Sequence, residues 1–317
     1  MVLSTGQAVA FVFPGQGSQS PGMLRDFAEH GRTLLDTYTE ASDALGYDLW
    51  DLTQNGPESS LNMTEVTQPA LLTAGVAIWR LWKHYQGPSP DFMAGHSLGE
   101  YTALVCSGSI SLPDAVLLVR DRGRYMQEAV PEGTGAMAAI LGLDSDTVSK
   151  VCTQAGDTGV VSAANYNSPE QTVIAGHTQA VSRAMELAKG AGAKRAIMLP
   201  VSVPSHCLLM QAAAERLRAR LEGIAFRDTE IAVIQNVDAT LHRSADEIKP
   251  GLVRQLHQPV RWVETIVRLK ELKCSTIIEC GPGKVLTGLI KRIDKEMVGL
   301  PIGDVTAFEM TVKNLRA

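Results

Sequence analysis

The sequence predicts an α/β fold: a parallel sheet carrying a strand-turn-helix elbow, with a smaller α+β unit inserted into the larger one. Three observations carry this. Residues 8–13, Ala-Val-Ala-Phe-Val-Phe, are a continuous apolar run of the kind found in strands buried on both faces of a parallel sheet. Residues 92–105 pass from a short apolar strand through Gly95-His96-Ser97-Leu98-Gly99 straight into a helical pattern, the layout of a nucleophile elbow. Residues 134–200 read strand, helix, strand, strand, helix, strand, a ferredoxin-like order.

At 317 residues the chain can bury a large core in one or two domains. With 45% hydrophobic and 20% charged residues it has a globular composition, and a net charge of -5 gives no electrostatic reason to expect nucleic acid or an anionic membrane as partner. The five cysteines are scattered without a C-x-x-C, and the seven histidines show no H-E-x-x-H spacing. Neither a disulfide framework nor a metal site is expected, and a reducing, cytoplasmic setting fits. The run at 8–13 lacks a basic leader and is too short for a signal peptide. The most apolar stretch, 70–82, is broken by Thr73, Gly75 and Arg80, so no membrane span is expected.

In chain order, strand 8–13 ends in Pro14-Gly15-Gln16-Gly17-Ser18-Gln19, which lacks both G-x-G-x-x-G and a Walker lysine. A loop at the carboxyl end of the first strand belongs instead beside the elbow, where ligands bind in open α/β sheets. Residues 23–82 read as helices separated by Gly46, Asn55-Gly56-Pro57 and Thr67-Gln68-Pro69. In the elbow, Gly95 and Gly99 let strand and helix approach closely around Ser97.

After the elbow helix, Leu112-Pro113-Asp114 opens another, with Ala115, Val116, Leu118, Val119, Arg122 and Met126 near one face. An arginine on the apolar side of a helix needs a counter-charge, so a structural salt bridge or a snorkelling side chain competes with a binding role. The inserted unit reads as strands over 136–143, 160–165, 171–175 and 195–199, with helices over 144–155 and 178–190. Domain boundaries are expected at 131–203 for this unit, with 1–130 and 204–317 forming the larger one.

Val203-Pro204-Ser205-His206 follows, then a helix on which Met210, Ala214, Leu217 and Leu221 repeat. A nucleophilic serine needs a base, and His206 at the domain junction is the main candidate, with His257 a weaker rival. His30, His84, His177 and His242 read as surface residues, and the side chain of His96 should leave the turn away from Ser97. Strands are expected over 231–236 and 276–279, the latter entering Gly281-Pro282-Gly283-Lys284, a βα turn that closes the sheet. No motif is seen after Lys295.

Taken together these residues resemble the malonyl-CoA:acyl carrier protein transacylases of bacterial fatty-acid synthesis, from about residue 10 to 293. The similarity rests on Phe13-Pro14-Gly15-Gln16-Gly17-Ser18-Gln19, Gly95-His96-Ser97-Leu98-Gly99-Glu100 and Arg122-Gly123 with Met126-Gln127. Asn167-Ser168-Pro169 with Val173-Ile174-Ala175-Gly176, Val203-Pro204-Ser205-His206, Arg254-Gln255-Leu256 with Pro259-Val260, and Glu279-Cys280-Gly281-Pro282-Gly283-Lys284 continue it in order.

That resemblance implies an α/β-hydrolase-like core with an inserted ferredoxin-like subdomain. It implies Ser97 as nucleophile, His206 as general base, the N–H groups of Gln16 and Leu98 as oxyanion hole, and Arg122 as the anchor for the malonyl carboxylate. The backbone carbonyl of Gln255 takes the place of the acid that orients histidine in serine hydrolases. Malonyl-CoA and holo acyl carrier protein are the implied substrates, without metal or redox cofactor. Lys194, Arg195, Lys284 and Lys291 are candidates for a basic rim that meets an acidic carrier. A serine thioesterase or esterase on the same core is the alternative.

Overall fold

The computed structural model describes residues 8–201 and 203–316; the residues ahead of 8, where a basic leader was sought, lie outside them. Ten strands occur among the described residues: β1 (Ala8–Phe13), β2 (Phe92–Gly95), β3 (Gly135–Leu141), β4 (Val161–Ser168), β5 (Gln171–His177), β6 (Arg195–Met198), β7 (Ala232–Ile234), β8 (Leu241–His242), β9 (Cys274–Glu279) and β10 (Val298–Pro301).

The larger sheet has the order β10-β9-β1-β2-β7-β8, with every pair parallel except β7 with β8. The reason β1 is central lies in its side chains. Val9, Phe11 and Phe13 point into the larger core with helices Thr64–His84 and Leu112–Ala129, while Ala10 and Val12 pack on the opposite face against Trp262–Glu271 and Val285–Ile293. Phe11 meets Trp79 and Trp82 edge-on, each at 5.2 Å. A buried aromatic of this kind stabilises the fold by roughly 1.5–3 kcal/mol. A strand with no polar side chain can be covered only when both faces carry helices, which is the α/β solution.

The pairing of Phe13 with Gly95 brings the carboxyl ends of β1 and β2 level, so the loop 14–19 stands beside the elbow. Helix Leu112–Ala129 starts where the side chain of Ser111 accepts from the N–H of Asp114, with Pro113 in its first turn. All six residues assigned to its inner face, Arg122 included, are buried.

The second sheet has the order β4-β5-β3-β6, entirely antiparallel, the ferredoxin-like arrangement. Period-two alternation divides its faces. Ala138 and Ile140 pack under helices Ser145–Ala155 and Thr178–Gly190, while Met137, Ala139, Val173 and Ala175 face the other way and meet Cys207. A short parallel bridge, Asn165 with Val260, ties β4 to the larger unit: Tyr166 N–H donates to the Val260 carbonyl and Val260 N–H to the Ala164 carbonyl, both at 2.9 Å.

Two sequence expectations are corrected. Thr67-Gln68-Pro69 separates no helices; it lies inside helix Thr64–His84. Pro69 sits near the start of that helix, where the loss of one N–H is offset by a helix long enough to bury both faces. Nor does the turn after β9 close the sheet, because β10 lies outside β9 and helix Val305–Arg316 follows it. Gly299 and Pro301 hide β10 from a propensity reading, yet they are tolerated there because an edge strand needs only one ladder.

Candidate active site

Ser97 adopts φ 51°, a left-handed conformation that a side-chain-bearing residue holds only under constraint. The constraints are visible. A Cβ on Gly95 would lie 1.9 Å from the Gly99 carbonyl carbon, and one on Gly99 2.0 Å from the Phe13 carbonyl oxygen. Asn236 clamps the turn: its Oδ1 accepts from the N–H of Ser97 at 2.7 Å, and its Nδ2 donates to the Gly95 carbonyl at 2.6 Å. The N–H of Ser97 is thereby occupied. The next one, that of Leu98, heads helix Gly99–Cys106, where the first N–H groups lack intrahelical acceptors. Gln16 lies on the loop after β1 and lines the same cleft as Ser97.

Ser97 Oγ lies 2.8 Å from His206 Nε2, and His206 Nδ1 lies 2.6 Å from the Gln255 carbonyl oxygen. A carbonyl only accepts, so Nδ1 carries the proton and Nε2 is free to accept from the serine hydroxyl. His206 is itself left-handed, at φ 62°, pinned by its N–H donating to Leu256 O at 3.0 Å. Burial, with the Arg122 charge second, depresses the imidazole from 6.5 to about 3. At neutral pH it is an unprotonated base.

That depression has a stability consequence with a definite sign. The unfolded chain binds this proton near pH 6.5 and the folded chain only near 3, so the stability present above pH 6.5 is lost as pH falls through that window. The full effect is on the order of 5 kcal/mol. In His206→Gln the group cannot titrate, and the melting-temperature difference between wild type and variant is expected to move against wild type as pH drops below 6.5. Parallel melting curves across that range would contradict the assigned state of His206.

Arg122 is fully buried. Its Nη1 donates to Gln68 Oε1 at 2.7 Å, and Nη2 donates to Gln255 Oε1 at 3.0 Å and reaches Ser97 Oγ at 3.4 Å, while Nε has no partner. Among the described residues no carboxylate pairs with it directly, so the salt-bridge reading finds no support here. Amide oxygens orient a guanidinium without neutralising it, and burial lowers its pKa.

His96 lies beside Ser97 but turns toward the small unit, with Nε2 2.8 Å from Asn167 Oδ1 and its ring edge-on to Trp262. Among the described residues no hydrogen bond joins His257 to Ser97, and His257 is half-buried. His84 is exposed; His177 and His242 are half-buried rather than free surface residues, and the side chain of His30 lies outside the described set. His177 Nδ1 accepts from Val160 N–H at 3.0 Å, and His242 sits 3.3 Å from Asp238.

A cleft of about 210 Å³ lies over Ser97 and His206, between Gln16 on one side and Asn165, Asn167, Met137 and Val173 of the small unit on the other. Sequence reasoning assigned no role to Glu100, Asn236, Gln68 or Asn167, although Glu100 and Asn167 stand inside motifs that carry the resemblance. Glu100 left a second signal, the one charge in a helix of which every residue but Val105 is buried.

Comparison with known proteins agrees with this geometry. Residues 10–313 match the acyl transferase domain family. The malonyl CoA-acyl carrier protein transacylase of Escherichia coli K12 is 54% identical over 298 residues, covering 94% of this chain and 96% of that one. The Bacillus subtilis protein of the same name is 43% identical, covering 97% of each. Among solved structures, the malonyl CoA-acyl carrier protein transacylase of Coxiella burnetii superposes with a TM-score of 0.96 at 50% identity, covering 98% of each chain. A malonyl-transacylase in complex with a type II PKS acyl-carrier protein does so with a TM-score of 0.96 at 51% identity, covering 97% of this chain and 99% of that one. With Ser97 on an elbow and paired to His206, a buried arginine beside them and this similarity over almost its whole length, the chain belongs to the acyl transferase domain family, in its malonyl CoA-acyl carrier protein transacylase branch.

Proposed function

We propose that the chain transfers the malonyl group of malonyl-CoA to the phosphopantetheine thiol of acyl carrier protein in fatty-acid synthesis, through a malonyl ester on Ser97. The observation that carries the reading is Arg122: a buried guanidinium with no carboxylate of its own and an Nη2 3.4 Å from Ser97 Oγ. A substrate carboxylate supplies the missing counter-charge, and two parallel N–H···O bonds to it are within a guanidinium's geometry.

In the first half-reaction His206 Nε2 takes the hydroxyl proton as Oγ attacks the thioester carbonyl, and the N–H groups of Leu98 and Gln16 stabilise the resulting oxyanion. Collapse breaks the carbon–sulfur bond, and His206 returns the proton to the departing coenzyme A thiolate. The second half-reaction runs the same steps with the carrier thiol as nucleophile, and Ser97 regains its proton. One thioester becomes an ester and then a thioester again. The exchange is redox-neutral and balances without a metal or cofactor. Gln255 supplies the imidazole with a carbonyl instead of a carboxylate, which fixes the tautomer without adding a charge.

A cytoplasmic location goes with this reading: the five cysteines are free and buried, and no helix among the described residues is long and apolar enough to cross a membrane. Lys194, Arg195, Lys284 and Lys291 are exposed, and Lys194 pairs with Glu170 at 2.9 Å; we assign all four to a rim that attracts an acidic carrier.

The test is the fate of the loaded enzyme. Chain carrying labelled malonyl is mixed with holo carrier protein or with buffer alone. Label is expected to move to the carrier and to stay on the enzyme in buffer. Rapid release of free malonate in both would instead assign the site to a thioesterase.

A further inference from the structure

One buried carboxylate remains unused by the steps above. Glu100 is fully buried, three residues beyond Ser97 on the first turn of the elbow helix. Its Oε1 accepts from Gln235 Nε2 at 3.0 Å, and its Oε2 accepts from Asn236 N–H at 2.8 Å and from Gln255 Nε2 at 3.0 Å. All three partners donate, so the group they fit is the ionised carboxylate. The charged side chains around it are Arg122 from helix Leu112–Ala129 and Asp238 from the turn between β7 and β8, with the Tyr101 phenol beside it. Burial pushes the carboxyl up to about 7, so keeping it ionised here costs free energy; the use of the charge is read from the groups it holds.

The partners show what that use is. Gln255 Nε2 donates to Glu100 and also to the Ser97 carbonyl at 3.0 Å, which leaves Oε1 facing Arg122 Nη2 at 3.0 Å. The carboxylate and the Ser97 carbonyl only accept and the guanidinium only donates, so a half-turn of the Gln255 amide would break all three bonds, and Glu100 adds the one charged acceptor among them. The same residue presents its backbone carbonyl to His206. Asn236, held through its N–H, is the clamp on Gly95 and Ser97. Glu100 makes no direct pair with Arg122; its charge acts on the guanidinium only at longer range, with Gln255 standing between them.

We propose that Glu100 is a positioning residue for acyl transfer, fixing Gln255 and Asn236 so that Ser97, His206 and Arg122 stand in one register. This rests on the reading of Ser97 and Arg122 given above.

The test is single-turnover malonylation of the full chain by malonyl-CoA, recording the rate constant and the final label per chain separately. Glu100→Gln is expected to reach full labelling with a rate constant up to about 100-fold below wild type, the order of loss from misplacing reacting groups by about 1 Å, and to discriminate less well between malonyl- and acetyl-CoA. Glu100→Asp keeps the charge but withdraws it by one methylene; it is expected to lie between the two and serves if the glutamine variant does not fold. A role confined to stability would lower the label per chain and leave the rate constant of the folded fraction unchanged, and that result, or wild-type rates in both variants, overturns the proposal. Ser97→Ala run in parallel separates the two readings: if it too accepts label, the site assignment itself fails, whereas an unlabelled Ser97→Ala beside wild-type rates at Glu100 removes only the positioning role.

Discussion

Arg122→Ala is expected to lose malonyl transfer while gaining acetyl transfer relative to it. Charge-assisted hydrogen bonds contribute roughly 1.5–3 kcal/mol each, so removing two lowers kcat/KM for malonyl-CoA by about 100- to 10,000-fold. An acetyl group makes neither bond, and in the wild type it leaves a buried guanidinium whose nearest partners are the neutral oxygens of Gln68 and Gln255. Deleting the charge relieves that penalty. It also strands those two amide oxygens, so some loss of stability accompanies the change and is followed by thermal melting. Arg122→Lys is a second probe: a lysine keeps the charge but cannot place two parallel donors, so restoration of malonyl preference should be partial at best. The measurement is the ratio of kcat/KM for malonyl-CoA and acetyl-CoA; an unchanged ratio in Arg122→Ala contradicts the carboxylate anchor.

The second large effect is at His206. Replacement by alanine removes the proton acceptor 2.8 Å from Ser97 Oγ and leaves the Gln255 carbonyl without its donor. General-base catalysis is worth about 100- to 10,000-fold, and loading from malonyl-CoA is expected to slow by that factor. The proposed oxyanion donors, the N–H groups of Leu98 and Gln16, are backbone groups on other elements that this substitution leaves in place, so a residual rate above the uncatalysed one is expected. Because the wild-type imidazole is held neutral down to about pH 3, its loading rate should show no fall attributable to His206 between pH 8 and 5. A labelling rate within tenfold of wild type in His206→Ala would remove it as the base.

How much of this was legible depends on where each residue's partners lie. The uninterrupted apolar run of β1 announced a strand covered on both faces, and the sheet places it centrally. Arg122 was legible as an anomaly, a charge on an apolar helix face, though its freedom from a carboxylate partner was not. His206 was legible as the candidate base because a serine nucleophile needs one and the junction between two units is where distant segments meet; its Nε2 lies 2.8 Å from Ser97 Oγ. Asn236 and Gln255 carry side-chain roles that no local pattern encodes, since their contacts to the elbow span 139 and 158 residues. Gln68 was hidden for a different reason: a following proline made it look like a helix boundary, and tertiary packing overrode that signal. Glu100 was visible as the last residue of the elbow motif and as a charge on an apolar helix, but its partners lie 135 to 155 residues away.

Every step of the proposed transfer passes through an acyl group on Ser97. The direct measurement is the intact mass of the protein after brief exposure to malonyl-CoA without carrier, wild type beside Ser97→Ala. Wild type is expected to gain one malonyl group, mapped to the peptide containing Ser97, and to lose it when holo carrier protein is added, while Ser97→Ala stays at its unmodified mass. A malonyl adduct of equal yield on Ser97→Ala, or turnover by wild type with no covalent adduct at any time, would contradict the transfer mechanism at its first step.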